Sequence, residues 1–212
     1  SFLEEYDRDE PFFLGVSYHN PHDICLYPRK PGWQVDADST MDVPPFGRLK
    51  LHRSIVTQPD EIDVLPPLPA NFEISRPQPE FEAVKRTLPS YGNELLLASS
   101  YNEREWRAYL YSYYRLTKLV DREIGLVLDA IDSAGFGDNT LIIFTSDHGD
   151  GMASHRWAAK LSFYEEAAKV PLIVHQPGVI PEGRVSDRLA SSIDILPTMC
   201  DYAGVACGEV AG

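Results

Sequence analysis

Thr140-Leu-Ile-Ile-Phe-Thr-Ser-Asp-His-Gly-Asp150 is the stretch on which the reading of this chain turns. Leu141 to Phe144 form a continuous apolar run, the pattern of a strand covered on both faces. Asp147 and His148 follow where such a strand emerges, with Gly149 in the turn. In open α/β sheets, ligands collect at the carboxyl ends of strands. Thirteen residues after Asp147 comes Lys160, in the run His155-Arg-Trp-Ala-Ala-Lys160. A carboxylate, an imidazole and then a lysine on the following loop suit a metal site that holds an anion. Taken alone, the stretch reads equally as an ordinary Ser-Asp-His-Gly turn closing a strand.

A second stretch has the same layout. Pro11-Phe-Phe-Leu-Gly-Val-Ser-Tyr-His-Asn-Pro-His-Asp23 predicts a strand over 11–18 that ends in a polar loop with His19 and His22. Parallel neighbours would bring these two strand ends together. A further strand is predicted over 170–175, closed by Pro177-Gly178.

Around these strands the helical signals are local and clear. Trp106, Leu110, Tyr113, Val120, Ile124, Val127 and Ile131 fall at spacings of three and four or their sum, which predicts a helix from Glu103 to Ala134. Gly135 and Gly137 close it. A short helical turn is expected at 164–169, and a helix at 192–203 with Ser191 or Ser192 as cap and Gly204 as stop. Residues 28–90 carry most of the prolines, eleven of 17, so sheet core and long helix are excluded there. We read 28–90 as a Pro-rich surface excursion over the rim of the site, with Tyr27, Arg29 and Trp33 as more ordinary packing residues.

Composition sets outer limits. The chain has 212 residues, enough for one substantial core, and 43% are hydrophobic. Three scattered cysteines give neither a disulfide framework nor a zinc spacing. A net charge of −13 argues against nucleic-acid binding, which needs a basic footprint. It also favours a small ligand over a long polyanionic one. No apolar run reaches the roughly 18 residues of a membrane span.

Six segments in order carry a resemblance. They are Pro11-Phe-Phe-Leu with His19-Asn-Pro-His22, Thr140 to Gly149, His155-Arg-Trp-Ala-Ala-Lys160, Phe163-Tyr-Glu-Glu166, Val170-Pro-Leu-Ile173 and Ser192-Ile-Asp-Ile-Leu-Pro-Thr198. The chain resembles the sulfatase family of the alkaline-phosphatase-like superfamily, most like its iduronate-2-sulfatase and choline-sulfatase branch. The resemblance implies an α/β sandwich with a mostly parallel central sheet flanked by helices. The strands at 11–18, 140–146 and 170–175 would then share one sheet, with the 103–134 helix on its face.

The resemblance also assigns roles. Asp147 and His148 become metal ligands. As bare residues they suit Zn²⁺ or Mn²⁺ as readily as Ca²⁺; the resemblance favours Ca²⁺, with Mg²⁺ also compatible. Lys160 matches a sulfate-contacting lysine, and His22 the histidine beside the leaving-group oxygen. His19 and His155 are weaker substrate-contact candidates. The implied partner is a small sulfated substrate such as a sulfated sugar, and the implied compartment is periplasmic, secreted or lysosomal.

Two family features are not found. Sulfatases carry a formylglycine made from a Cys-x-Pro-x-Arg signature, and an Asp pair early in the domain. Cys25-Leu-Tyr-Pro-Arg29 has its proline one place too late. We therefore expect residues 1–212 to be the later part of a sulfatase catalytic domain, inactive by itself. The alternatives are a phosphonate monoester or phosphodiester hydrolase of the same superfamily, or a non-catalytic carbohydrate-binding module.

Overall fold

The computed structural model describes residues 2–6, 10–27, 40–43, 47–50, 62–87, 98 and 100–208. Its centre is a 31-residue helix, α3, from Glu103 to Ser133. Shorter elements surround it: α1 (Phe2–Glu5), β1 (Thr40–Val43), β2 (Gly47–Lys50), α2 (Glu80–Lys85), β3 (Ile142–Thr145), α4 (Glu165–Ala168), β4 (Leu172–His175) and α5 (Ile195–Tyr202). Among the described residues no helix is long and apolar enough to cross a membrane.

Local chemistry explains where α3 starts and stops. The Asn102 side chain accepts from the Glu105 N–H at 3.0 Å, and Glu105 Oε2 accepts from the Asn102 N–H at 2.7 Å. This capping box satisfies two amides that would otherwise lack partners, worth about 1 kcal/mol. At the other end Gly135 turns left-handed at φ 78°. Its N–H reaches the Asp132 carbonyl and the Phe136 N–H reaches the Ile131 carbonyl, a Schellman closure. The same pair of bonds ends α5, from Gly204 to Asp201 and from Val205 to Cys200.

The helix is packed unevenly. Trp106, Ala108, Tyr109, Leu110, Ser112 and Leu116 are buried in its first half, whereas beyond Leu116 only Ile131 is. Ala108, Tyr109, Ser112 and Leu116 lie off the predicted stripe, so the first half is covered on more than one side. Ile24, Tyr27 and Leu65 join this core, with Ile62, Leu68 and Phe72 packed against it. Tyr27 is thus a core residue, and its hydroxyl donates to the Glu105 carbonyl at 3.1 Å.

Several expectations need correction. Residues 11–18 form no strand among the described residues. They are held along α3 by side chains: Phe12 meets Phe136 edge-on at 5.3 Å, and the Tyr18 hydroxyl donates to the Glu123 carbonyl at 3.0 Å. The strands expected at 140–146 and 170–175 do pair, but antiparallel, with Ile142 opposite His175 and Thr145 opposite Leu172. The reason lies in the connection. A parallel pair needs a crossover, usually a helix, but α4 is only four residues long. The chain instead folds back and re-enters from the end at which it left.

No covered sheet results within the described residues. Phe144, Leu172 and Ile173 are exposed, and the main element partners of α3 are the His22–Leu26 turn and α1 rather than this ribbon. The Pro-rich excursion is also not wholly superficial, because Leu65 and its neighbours enter the core. The region contains a second antiparallel pair, β1 with β2, and the short helix α2. Arg29, Trp33 and His52 lie outside the described residues.

Candidate functional site

Residues 146–161 leave β3 as a tight, irregular loop. Gly149 is where the chain passes closest to α4: its N–H donates to the Ala167 carbonyl at 2.9 Å, and a Cβ there would sit 2.0 Å from the Glu166 carbonyl oxygen. Gly151 has the same constraint against the Trp157 carbonyl, at 2.5 Å. Six non-glycine residues, Met152, Ala153, His155, Arg156, Ala159 and Leu161, have positive φ. Each such residue costs energy, on the order of 1 kcal/mol, so the loop needs strong anchors.

The anchors are visible. Trp157 is fully buried, and its indole N–H donates to the Lys160 carbonyl at 3.2 Å. The Arg86 guanidinium lies 4.8 Å over the Trp157 ring and donates to the carbonyls of His155 and Arg156. Asp150 is buried and accepts from the Tyr109 hydroxyl at 2.8 and 2.9 Å and from the Met152 N–H at 2.8 Å. That same hydroxyl accepts from the Ala159 N–H at 3.2 Å. One tyrosine of α3 therefore fastens both arms of the loop.

This frame sets Asp147, His148 and Lys160 side by side. His148 Nδ1 is 2.8 Å from the Gly149 carbonyl. A carbonyl only accepts, so Nδ1 carries the proton and Nε2 is the outward nitrogen of the neutral ring. Nε2 stands 2.8 Å from Lys160 Nζ and 3.4 Å from Asp147 Oδ2. Two ligands of one ion lie roughly 3 Å apart when its bonds are 2.0–2.4 Å long. Asp147 and His148 therefore fit as two members of a metal shell. Nε2 serves one of two partners, the Lys160 ammonium or a metal ion.

Electrostatics bring His22 into the same group. Partial burial, then the neighbouring His19, Lys160 and His148, hold His22 below the ordinary histidine value, while Asp23 pulls it up. Lys160 and His148 are thus within electrostatic reach of His22. For Asp147, partial burial pushes upward, but His148, two backbone amides and Lys160 outweigh it and keep the carboxylate ionised more strongly than usual. His19 pairs with Asp23 at 3.1 Å beside His22.

His155 is placed differently. Its ring stacks on Tyr164 at 4.1 Å, Nδ1 lies 3.0 Å from Ser75 Oγ, and Nε2 lies 3.4 Å from Asn71 Nδ2. Among the described residues its contacts are with this packing set, not with His148 or Lys160. Sequence reasoning missed Asp150, Tyr109 and Arg86. The repeated Asp in Asp147-His-Gly-Asp150 was the available signal for the first. Tyr109 and Arg86 lie far from the loop in sequence and gave none.

Known proteins resemble the chain along nearly its whole length. The Sulfatase family profile matches residues 1–205. A Delta 4,5-hexuronate-2-O-sulfatase of Bacteroides thetaiotaomicron is 32% identical over 207 residues, 96% of this chain and 38% of that protein. Mouse (Mus musculus) iduronate 2-sulfatase is 32% identical over 92% of this chain and 36% of that protein. A solved 2-O GAG sulfatase superposes with a TM-score of 0.67 at 30% identity, over 90% of this chain and 37% of that one. The chain thus spans little more than a third of the length of these relatives. Its described residues take up part of the alkaline-phosphatase-like sulfatase fold. From the profile that matches residues 1–205, the chain belongs to the sulfatase family.

Proposed function

We propose that this chain supplies metal ligands, an anion contact and a proton donor to the hydrolysis of a sulfate ester. The carrying observation is the placement of Lys160, His148 and Asp147 within hydrogen-bonding distance at the end of β3, with His22 in electrostatic reach. Lys160 presents a compact positive charge suited to a tetrahedral oxyanion. Asp147 and His148 would hold a divalent ion, Ca²⁺ by family resemblance. When bound, the ion polarises the sulfuryl oxygens as a Lewis acid. The Gly149 carbonyl fixes the His148 tautomer so that Nε2 faces the site. His22, which matches the family histidine beside the leaving-group oxygen, would give its proton to the departing alcohol oxygen. Cys25 is assigned no nucleophilic role.

The substrate class is a small sulfated sugar. The three relatives above are named for sulfates on uronic acids or at a 2-O position. A 2-O-sulfated hexuronate is therefore the first compound to try. The net charge of −13 supports a short substrate over a polyanion. The test measures sulfate release from that sugar and from a chromogenic aryl sulfate, using the natural full-length protein with Ca²⁺. Loss of release in Asp147→Ala and Lys160→Ala is expected. Wild-type rates in both would end the proposal. Hydrolysis of a phosphonate monoester but not of either sulfate would move the assignment to the phosphonate hydrolases.

A further inference from the structure

The His19–Asp23 turn contains a group that the reaction uses only in part. His19, His22 and Asp23 lie within five residues of one another, at the turn that leads into the His22–Leu26 segment. Their ligand atoms lie within 4.8 Å of one another. His19 Nε2 and Asp23 Oδ1 are 3.1 Å apart, and the two imidazole rings have centroids 4.7 Å apart. We propose that His19, His22 and Asp23 form a zinc-binding site separate from the Asp147–His148 pair.

Three features carry this. First, the ligand set is right for the ion. Two imidazoles and a carboxylate suit Zn²⁺, which commonly takes three protein ligands and leaves the fourth position open. Ca²⁺ instead wants six to eight oxygens. The Cys25 thiol, 3.8 Å from His22 Nδ1, adds a soft atom at the margin.

Second, the distances need little change. Bonds of about 2.0–2.2 Å at tetrahedral angles put ligand atoms roughly 3.3–3.5 Å apart. The His19–Asp23 edge is already that short. The wider edges close by side-chain rotation, and His19 is free to rotate because its side chain is 69% exposed.

Third, the backbone beneath is held. The His22 N–H donates to the His19 carbonyl at 3.1 Å, and the Asp23 N–H donates to Asn20 Oδ1 at 3.2 Å. Ile24 and Tyr27 anchor the turn in the core. The turn is therefore in place before any ion arrives. His22 is the shared residue: zinc here would withdraw it from the anion site. That consequence rests on the proposed reaction, but the binding itself does not.

The experiment titrates the full chain with Zn²⁺ by calorimetry in excess Ca²⁺, in a His148→Ala background that removes the other imidazole ligand. One Zn²⁺ site is expected, weakened by at least about tenfold in His19→Ala and in Asp23→Asn, by analogy with the cost of disturbing a metal shell. Cu²⁺ added to the same background, read by electron paramagnetic resonance, should show two coordinated imidazole nitrogens, and one in His19→Ala. Zinc affinity unchanged in His19→Ala, or a Cu²⁺ spectrum with no second nitrogen, overturns the proposal.

Discussion

The two loops that bear the site histidines are held by opposite means. Residues 147–161 are fastened from outside, by Tyr109 of α3, by Arg86 just after α2, by Asn71 and by the α4 backbone. Residues 19–23 are closed mainly on themselves, through bonds three residues apart and a His19–Asp23 pair. The first loop tolerates six strained backbone positions because remote anchors determine it. The second has no residue at positive φ, and bonds between near neighbours set its backbone. The contrast separates positions fixed by tertiary contacts from positions fixed by local geometry. Mutations should therefore spread far in the first loop and remain local in the second.

The largest effect should come from Lys160. Lys160→Ala is expected to lower kcat/KM for a sulfate ester by about 10²–10³ in the full-length protein, comparable to losing one oxyanion contact. Steady-state kinetics check this, and a change below threefold would remove Lys160 from the anion site. Next is Asp150→Ala, which strips Tyr109 and Met152 of a buried acceptor. A loss of about 3 kcal/mol in urea unfolding is expected, with Tyr109→Phe costing less. If Asp150→Ala unfolds at the wild-type midpoint, the external-anchor account fails.

Gly149→Ala should follow, at about 1–3 kcal/mol, because its Cβ would press on the Glu166 carbonyl. Thermal unfolding reads it, and weakened metal binding should accompany it if Asp147 and His148 move with the turn. The local loop supplies the control. Asp23→Asn breaks a pair whose His19 side is largely exposed and should cost less than about 1 kcal/mol. A larger cost would erase the distinction between the loops.

The smallest effect concerns the rim of the first loop. Glu73 bridges Arg156 at 2.9 Å, and that hydrogen bond first, with the Arg156 charge, holds the Glu73 carboxyl below its usual value despite an opposing desolvation. A depressed folded value means stability that is present above the unfolded carboxyl range and lost as pH falls through the folded one. Wild type and Glu73→Gln should thus differ slightly near neutrality and converge on acidification. A gap that widens as pH falls would reverse the assignment.

The residues by themselves determined whatever depends on near neighbours. The period of Trp106, Leu110 and Ile131, the Gly135 end, and the Ser191 to Gly204 segment all rest on contacts within a few positions, so α3 and α5 were legible. The apolar runs marked β3 and β4, and the order of Asp147, His148 and Lys160 marked a candidate site. Tertiary structure decided the rest. It made β3 and β4 antiparallel, because an irregular loop rather than a crossover helix joins them. It placed Leu65 of the proline-rich region in the core and packed His155 against Tyr164. It also turned Tyr109, forty-one residues from Asp150, into that carboxylate's partner. Such pairings follow from which surfaces exclude water together, and no spacing along the chain records that.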